Sequence, residues 1–188
     1  MRIRTILVHN AIRAHCRIGE SGGPFGRFSG PGYFLKSSMA IDDILQKAAE
    51  RARQNGLPYR GALTPAEAHE VLRAVPGAAL VDVRTRAEWT YVGRIPGAVE
   101  VELLTYPANR PNPDFLAELQ DRVEDKTAPV LFICRSGGRS HTAATLAAQA
   151  GYTAAYNVLE GFEGDRDAQG HRNTVGGWRA AGLPWTQS

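Results

Sequence analysis

The chain has 188 residues, with 22 Lys and Arg against 19 Asp and Glu, 43% hydrophobic residues and two cysteines. That length suits one compact domain with appendages, and the composition is that of a globular protein with a buried core. No apolar run approaches the roughly 18 residues of a membrane span, and the TILV run near the start is too short for a secretory signal, so a cytoplasmic protein with no membrane partner is expected.

The net charge of +3 is concentrated upstream. Residues 1–38 hold Arg2, Arg4, Arg13, Arg17, Arg27 and Lys36 against Glu20 alone, leaving 16 basic and 18 acidic residues in 39–188. The remainder is mildly acidic, which removes the main compositional support for nucleic-acid binding. Cys16 and Cys134 are too few for a zinc site of ordinary spacing, and no His-x3-His pair accompanies them. A chain of this size does not need their disulfide, so both are read as free thiols, and no metal site is expected.

In chain order, residues 1–38 read as a tail: six glycines and no sustained period of 2 or 3.6. Met39 is an alternative natural start, and residues 39–58 form an N-terminal helical segment. Ile41, Ile44, Leu45, Ala48, Ala49 and Ala52 make one apolar stripe, predicting a helix over Ile41–Gln54 that Gly56 and Pro58 end. Thr64-Pro65-Ala66-Glu67 is a capping box opening a second helix that runs to about Ala74. Ala79–Val83 is a buried strand. Pro113 opens a helix with Phe115, Leu116, Leu119 and Val123 on one face. Val130–Ile133 is a second buried strand, Ser140–Gln149 a helix, Ala155–Val158 a third strand, and Val175–Ala181 a last short helix. Strands alternating with helices argue an α/β fold with a mostly parallel central sheet flanked by helices, in which ligands bind beyond the carboxyl ends of strands.

The segment Cys134-Arg135-Ser136-Gly137-Gly138-Arg139-Ser140 follows one such strand and leads into a helix. Backbone N–H groups can converge there on one point, and the helix dipole adds positive potential, a setting that favours a nucleophilic thiolate. The paired glycines let the backbone curl, and two arginines attract anions. A cysteine serving as core filler is the competing reading, and the Gly-Gly turn, the arginines and the helix start outweigh it. Tyrosine phosphatases and thiol arsenate reductases place five residues between cysteine and arginine. Here four separate Cys134 from Arg139, a smaller cradle suited to one sulfur atom.

Cys-Arg-Ser-Gly-x-Arg-Ser resembles the active-site loop of rhodanese domains in its sulfurtransferase form. Leu80-Val81-Asp82-Val83-Arg84, Glu88-Trp89 and Gly93-Arg94-Ile95-Pro96-Gly97-Ala98 resemble the family's N-terminal signature, with Arg94 where His is usual. Asn157-Val158-Leu159-Glu160-Gly161-Phe162 resembles its C-terminal signature, with Glu160 where Gly is usual. The resemblance spans about residues 60–186. An Asp- and Gly-rich insert, Glu163 to Gly170, precedes Gly176-Gly177-Trp178 and is similar to a bacterial subgroup.

The resemblance implies a rhodanese-like fold and a mechanism. The Cys134 thiolate attacks the outer sulfur of thiosulfate or a related small anionic donor, sulfite leaves, and the loop amides hold the persulfide. A thiol or protein cysteine then accepts the sulfur, with no cofactor. A phosphatase on the same fold and a non-catalytic binding module are the alternatives. Arg135 is expected at the pocket mouth, guiding the anion. Arg139 is expected to brace the loop through Asp82 or Glu88, with Arg84 beside them in support. Ser136 and Ser140 are placed to donate to the persulfide or to cap the helix. His141 is read as an ordinary helix residue, Trp89, Tyr91 and Trp178 as core or rim, and Cys16 has no assigned role.

Overall fold

The structure, a computed structural model, describes residues 32–187. The reading of residues 1–38 as a tail lies outside the described residues over 1–31, as does the thiol of Cys16, and is corrected over 32–38, which are helical. Helix α1 runs Gly32–Gln54, beginning upstream of the Ile41 expected from the apolar stripe. The stripe marks the face that packs, not the helix end, and no glycine or proline interrupts the chain between Tyr33 and Gln54.

Five parallel strands make the central sheet in the order β1-β7-β6-β2-β3. These are β1 Gly61–Leu63, β2 Ala79–Asp82, β3 Val99–Glu100, β6 Val130–Ile133 and β7 Ala155–Val158. A separate antiparallel pair, β4 Leu104–Thr105 and β5 Arg110–Pro111, forms a hairpin. The helices that follow α1 are α2 Pro65–Ala74, α3 Arg86–Tyr91, α4 Phe115–Arg122 and α5 Gly138–Gln149. The α/β sheet expected from the sequence is therefore present, parallel throughout.

Alternation along β6 sorts the core onto the two faces of the sheet. Val130, Phe132 and Cys134 pack with Val81, Phe115, Leu119 and the alanines of α5. Leu131 and Ile133 pack with Ala48, Leu63, Val71, Phe162 and Trp178. Both β6 and β7 are buried along their whole length, which is why they read as unbroken apolar runs.

Other helix expectations change as well: α5 begins at Gly138, not Ser140. Pro113 does not open α4: Asp114 N–H donates to Asn112 Oδ1 at 3.0 Å and Phe115 N–H to Asn112 O at 3.3 Å, so a turn precedes the helix. Val175–Ala181 is not a helix but a run of turns. Gly177 takes φ +102°, outside the helical region, and Trp178 N–H donates to the distant Gly161 O at 2.8 Å instead of back along its own segment. A Cβ on Gly164 would lie 2.1 Å from Gly176 O, so glycine here serves a close crossing of two backbone segments.

Candidate active site

Strand β6 delivers Cys134 to its carboxyl end, and the loop 135–137 turns at once into α5. Gly137, the N-cap of α5, has φ +96°, a left-handed geometry that glycine adopts without a Cβ penalty. The turn brings Gly137 N–H to Cys134 Sγ at 3.2 Å, and Ser140 Oγ lies 3.3 Å from the same sulfur. Ser140 Oγ is also 3.1 Å from Gly137 O, so its single proton has two acceptors and can swing to a charged sulfur. Cys134 and Ser140 are buried, Ser136 and Gly137 half-buried, Arg135 and Gly138 exposed. The sulfur thus sits below the surface at the N-terminus of a 12-residue helix, where the dipole favours negative charge.

The loop is fixed from behind by the segment after β7. Phe162 N–H donates to Cys134 O at 2.7 Å, and Glu163 N–H to Arg135 O at 2.9 Å. A Cβ on Gly161 would stand 2.4 Å from Cys134 O, so the two backbones meet where only glycine fits. Glu160 has φ +64°, and its Oε2 accepts from Gly177 N–H at 2.8 Å. The carboxylate therefore ties this turn to the Gly176-Gly177 crossing.

Arg139 is committed to a carboxylate. Its Nη1 and Nη2 donate to Glu88 Oε2 and Oε1 at 2.7 and 2.6 Å. Glu88 Oε2 also accepts from Thr85 N–H and Thr85 Oγ at 2.8 and 3.0 Å, completing the capping box of α3. Burial pushes the Glu88 carboxyl up, but the bonds from Arg139 and Thr85 prevail and hold it at about 2. Of the two partners the sequence offered for Arg139, the structure selects Glu88.

Asp82 is bound instead by Arg84, which donates through Nε at 3.0 Å and Nη2 at 2.6 Å. Arg84 Nη2 also reaches Gly93 O at 2.8 Å, and the guanidinium lies 3.9 Å over the Phe162 ring. Both side chains of this pair are essentially inaccessible, at 0% and 1%. The pair meets the loop's support at Phe162, whose amide donates to Cys134 O. Arg94 forms a bridge with Thr186 and reaches Glu100 at 3.3 Å. His141 Nδ1 is 2.8 Å from the Tyr59 hydroxyl, in keeping with its reading as an ordinary helix residue. Trp89 and Trp178 are core, and Tyr91 is rim.

A groove of about 660 Å³ opens beside the loop, lined by Glu88, Tyr91, Leu104, Tyr106, Arg135 and Arg139 among others. The hairpin residues Leu104 and Tyr106 were not identified as site residues from sequence. Two-residue strands carry no periodicity, and the only signal was the short run Leu103-Leu104-Thr105-Tyr106-Pro107.

The model of the rhodanese-like domain matches residues 64–168. The chain belongs to the rhodanese-like domain family. A crystal structure of Rv0390 from Mycobacterium tuberculosis is 51% identical, covers 69% of this chain and 99% of that one, and superposes with a TM-score of 0.64. An uncharacterized protein of Rickettsia conorii is 37% identical over 63% of this chain and 91% of its own length. The chloroplastic thylakoid rhodanese-like protein of Oryza sativa is 33% identical over 69% of this chain and 25% of its own. The family and its fold therefore stand as expected. Among the described residues no helix of this rhodanese-like protein is long and apolar enough to cross a membrane.

Proposed function

We propose that this protein is a sulfurtransferase that moves sulfane sulfur from thiosulfate or a related donor to a thiophilic acceptor through a persulfide on Cys134. One observation carries the reading: two donors, Gly137 N–H and Ser140 Oγ, meet at Cys134 Sγ, while Arg139 at the end of the loop is committed to Glu88. Donors at that sulfur suit a charged thiolate and then the persulfide that replaces it. In the first step the Cys134 thiolate forms a bond to the outer sulfur of thiosulfate, and the sulfur–sulfur bond of the donor breaks with its electron pair leaving on sulfite. In the second, an acceptor nucleophile bonds to the outer persulfide sulfur and the Cys134 thiolate is released.

A phosphatase reading needs the arginine free for a phosphate oxyanion, and here its two-pronged bond to a carboxylate opposes that use. A binding module that lost catalysis has no use for a buried thiol with two donors aimed at it. A thiosulfate:cyanide assay run beside an aryl phosphate assay separates the three readings. Thiocyanate formation without phosphate release supports the proposal; phosphate release supports a phosphatase; neither activity supports a binding module.

A further inference from the structure

Sulfur transfer from a small inorganic anion explains the cradle but not the groove beside it. Among the described residues, four large hydrophobic side chains are exposed: Tyr91, Tyr106, Leu116 and Val175. Two of them, Tyr91 at 76% and Tyr106 at 67% exposure, line this one groove together with Val92 and Leu104. A groove of about 660 Å³ far exceeds an anion of a handful of atoms, and the apolar faces that line it add no charge to hold one. Exposed aromatic surface at a groove marks a place where apolar matter docks, and tyrosine supplies it at a low cost in side-chain entropy.

The charge in the groove is equally specific. Arg139 is neutralised by Glu88, whereas Arg135 is exposed, lines the groove and forms no salt bridge among the described residues. The lip therefore presents one uncommitted cation beside an apolar wall. Its supports are fixed: Gln187 Nε2 donates to Tyr91 O at 2.9 Å, and Asn112 N–H donates to Leu103 O at 2.9 Å at the base of the hairpin.

We infer that the groove receives a cysteine-bearing segment of an acceptor protein. An aromatic or aliphatic side chain next to the cysteine packs on Tyr91 and Tyr106, and an acidic side chain pairs with Arg135. This rests on the sulfurtransferase reading for its chemistry. The acceptor thiolate bonds to the outer sulfur of the Cys134 persulfide, the persulfide bond breaks, and its electrons return to Cys134 as thiolate. The acceptor leaves as its own persulfide, and no redox partner is needed. Tyr91 and Tyr106 are then specificity-determining residues.

Two measurements test this. The first uses an unreactive capped peptide, phenylalanine–serine–glutamate flanked by glycines, with binding followed by calorimetry against the intact protein. The peptide should bind wild type and lose at least about tenfold in affinity to the double variant Tyr91→Ser, Tyr106→Ser, or when its phenylalanine is glycine, or when its glutamate is lysine. The second loads Cys134 with sulfur and compares transfer to the matching cysteine peptide, to free cysteine and to cyanide. The ratio of kcat/KM for peptide over cyanide should exceed that for free cysteine over cyanide, and should fall at least about tenfold in the double variant. Equal binding of all peptides, or a ratio that the tyrosine substitutions leave unchanged, overturns the inference while persulfide formation still stands. Failure of Cys134 to take sulfur from any donor overturns the sulfurtransferase reading, and the transfer step proposed for this groove falls with it.

Discussion

Arg139, in the first turn of α5, and Glu88, in the first turn of α3, are joined by a two-pronged ion pair with bonds of 2.6 and 2.7 Å. The pair links the helix that begins at the cysteine loop to the helix that carries Tyr91 on the groove. Glu88→Gln keeps the shape but deprives a largely buried guanidinium of its counter-charge. The variant should lose on the order of 2 kcal/mol of stability, since hydrogen bonds to charged groups are worth about 1.5–3 kcal/mol. Urea denaturation with an unchanged slope checks it, and an unchanged midpoint would mean the pair braces nothing.

The same carboxylate sets a pH dependence. Its folded value of about 2 lies below the ordinary 4.5, so the folded state binds the proton less readily than the unfolded chain. The resulting stability is fully present above about pH 4.5 and drains away as the pH falls toward about 2. Wild type should therefore lose more stability than Glu88→Gln between about pH 6 and pH 3. Parallel denaturation curves at several pH values read this directly. Equal losses in the two proteins would assign the acid sensitivity to other carboxylates.

Gly161→Ala should damage the loop from a distance in sequence. Its Cβ would stand 2.4 Å from Cys134 O and 2.7 Å from Ser136 N, at a backbone φ of +64°. Steric strain and the left-handed geometry act together, so a loss of about 2 kcal/mol or more is expected. Sulfur transfer should fall as well, because the displaced backbone is the one that carries Sγ. Thermal unfolding together with a thiosulfate:cyanide assay tests both effects. A variant as stable and as active as wild type would mean that this contact relaxes freely.

What was legible in the sequence follows from length and periodicity. Runs such as Val130–Ile133 and Ala155–Val158 are buried on both faces and announce themselves by composition. The strands β1, β3, β4 and β5 have two or three residues each, too few for an alternating pattern, so the sheet edges and the groove wall built on the hairpin were missed. Helix α3 was missed as well, although Thr85-Arg86-Ala87-Glu88 repeats the capping pattern of Thr64 to Glu67 that opened α2. The choice of Glu88 over Asp82 as the partner of Arg139 depends on where Arg84 goes, a tertiary fact that no local pattern encodes. Val175–Ala181 misled because a helical composition was overruled by the crossing of Gly176-Gly177 with Gly164.

Loop length offers a separate test of sulfur against phosphorus chemistry. Inserting one glycine between Gly137 and Gly138 leaves Gly137 at its spacing from Cys134 but sets Ser140, the second donor to Sγ, one residue farther along the chain. Sulfur transfer should fall sharply, each misaligned donor costing on the order of 1–3 kcal/mol. Competitive inhibition by phosphate or arsenate should strengthen as the cradle widens. Sulfur transfer equal to that of wild type would remove the spacing argument.

The central claim is that Cys134 itself carries the sulfur. Mass spectrometry of the protein incubated with thiosulfate, and separately with inorganic polysulfide, followed by mapping of the peptide that contains Cys134, tests it most directly. Wild type should gain the mass of one sulfur atom on that peptide, and cyanide should remove it with an equal yield of thiocyanate. Cys134→Ser, folded by circular dichroism, should gain none. A wild-type protein that takes up no sulfur from either donor, or a Cys134→Ser variant that still turns over thiosulfate and cyanide, would contradict the account.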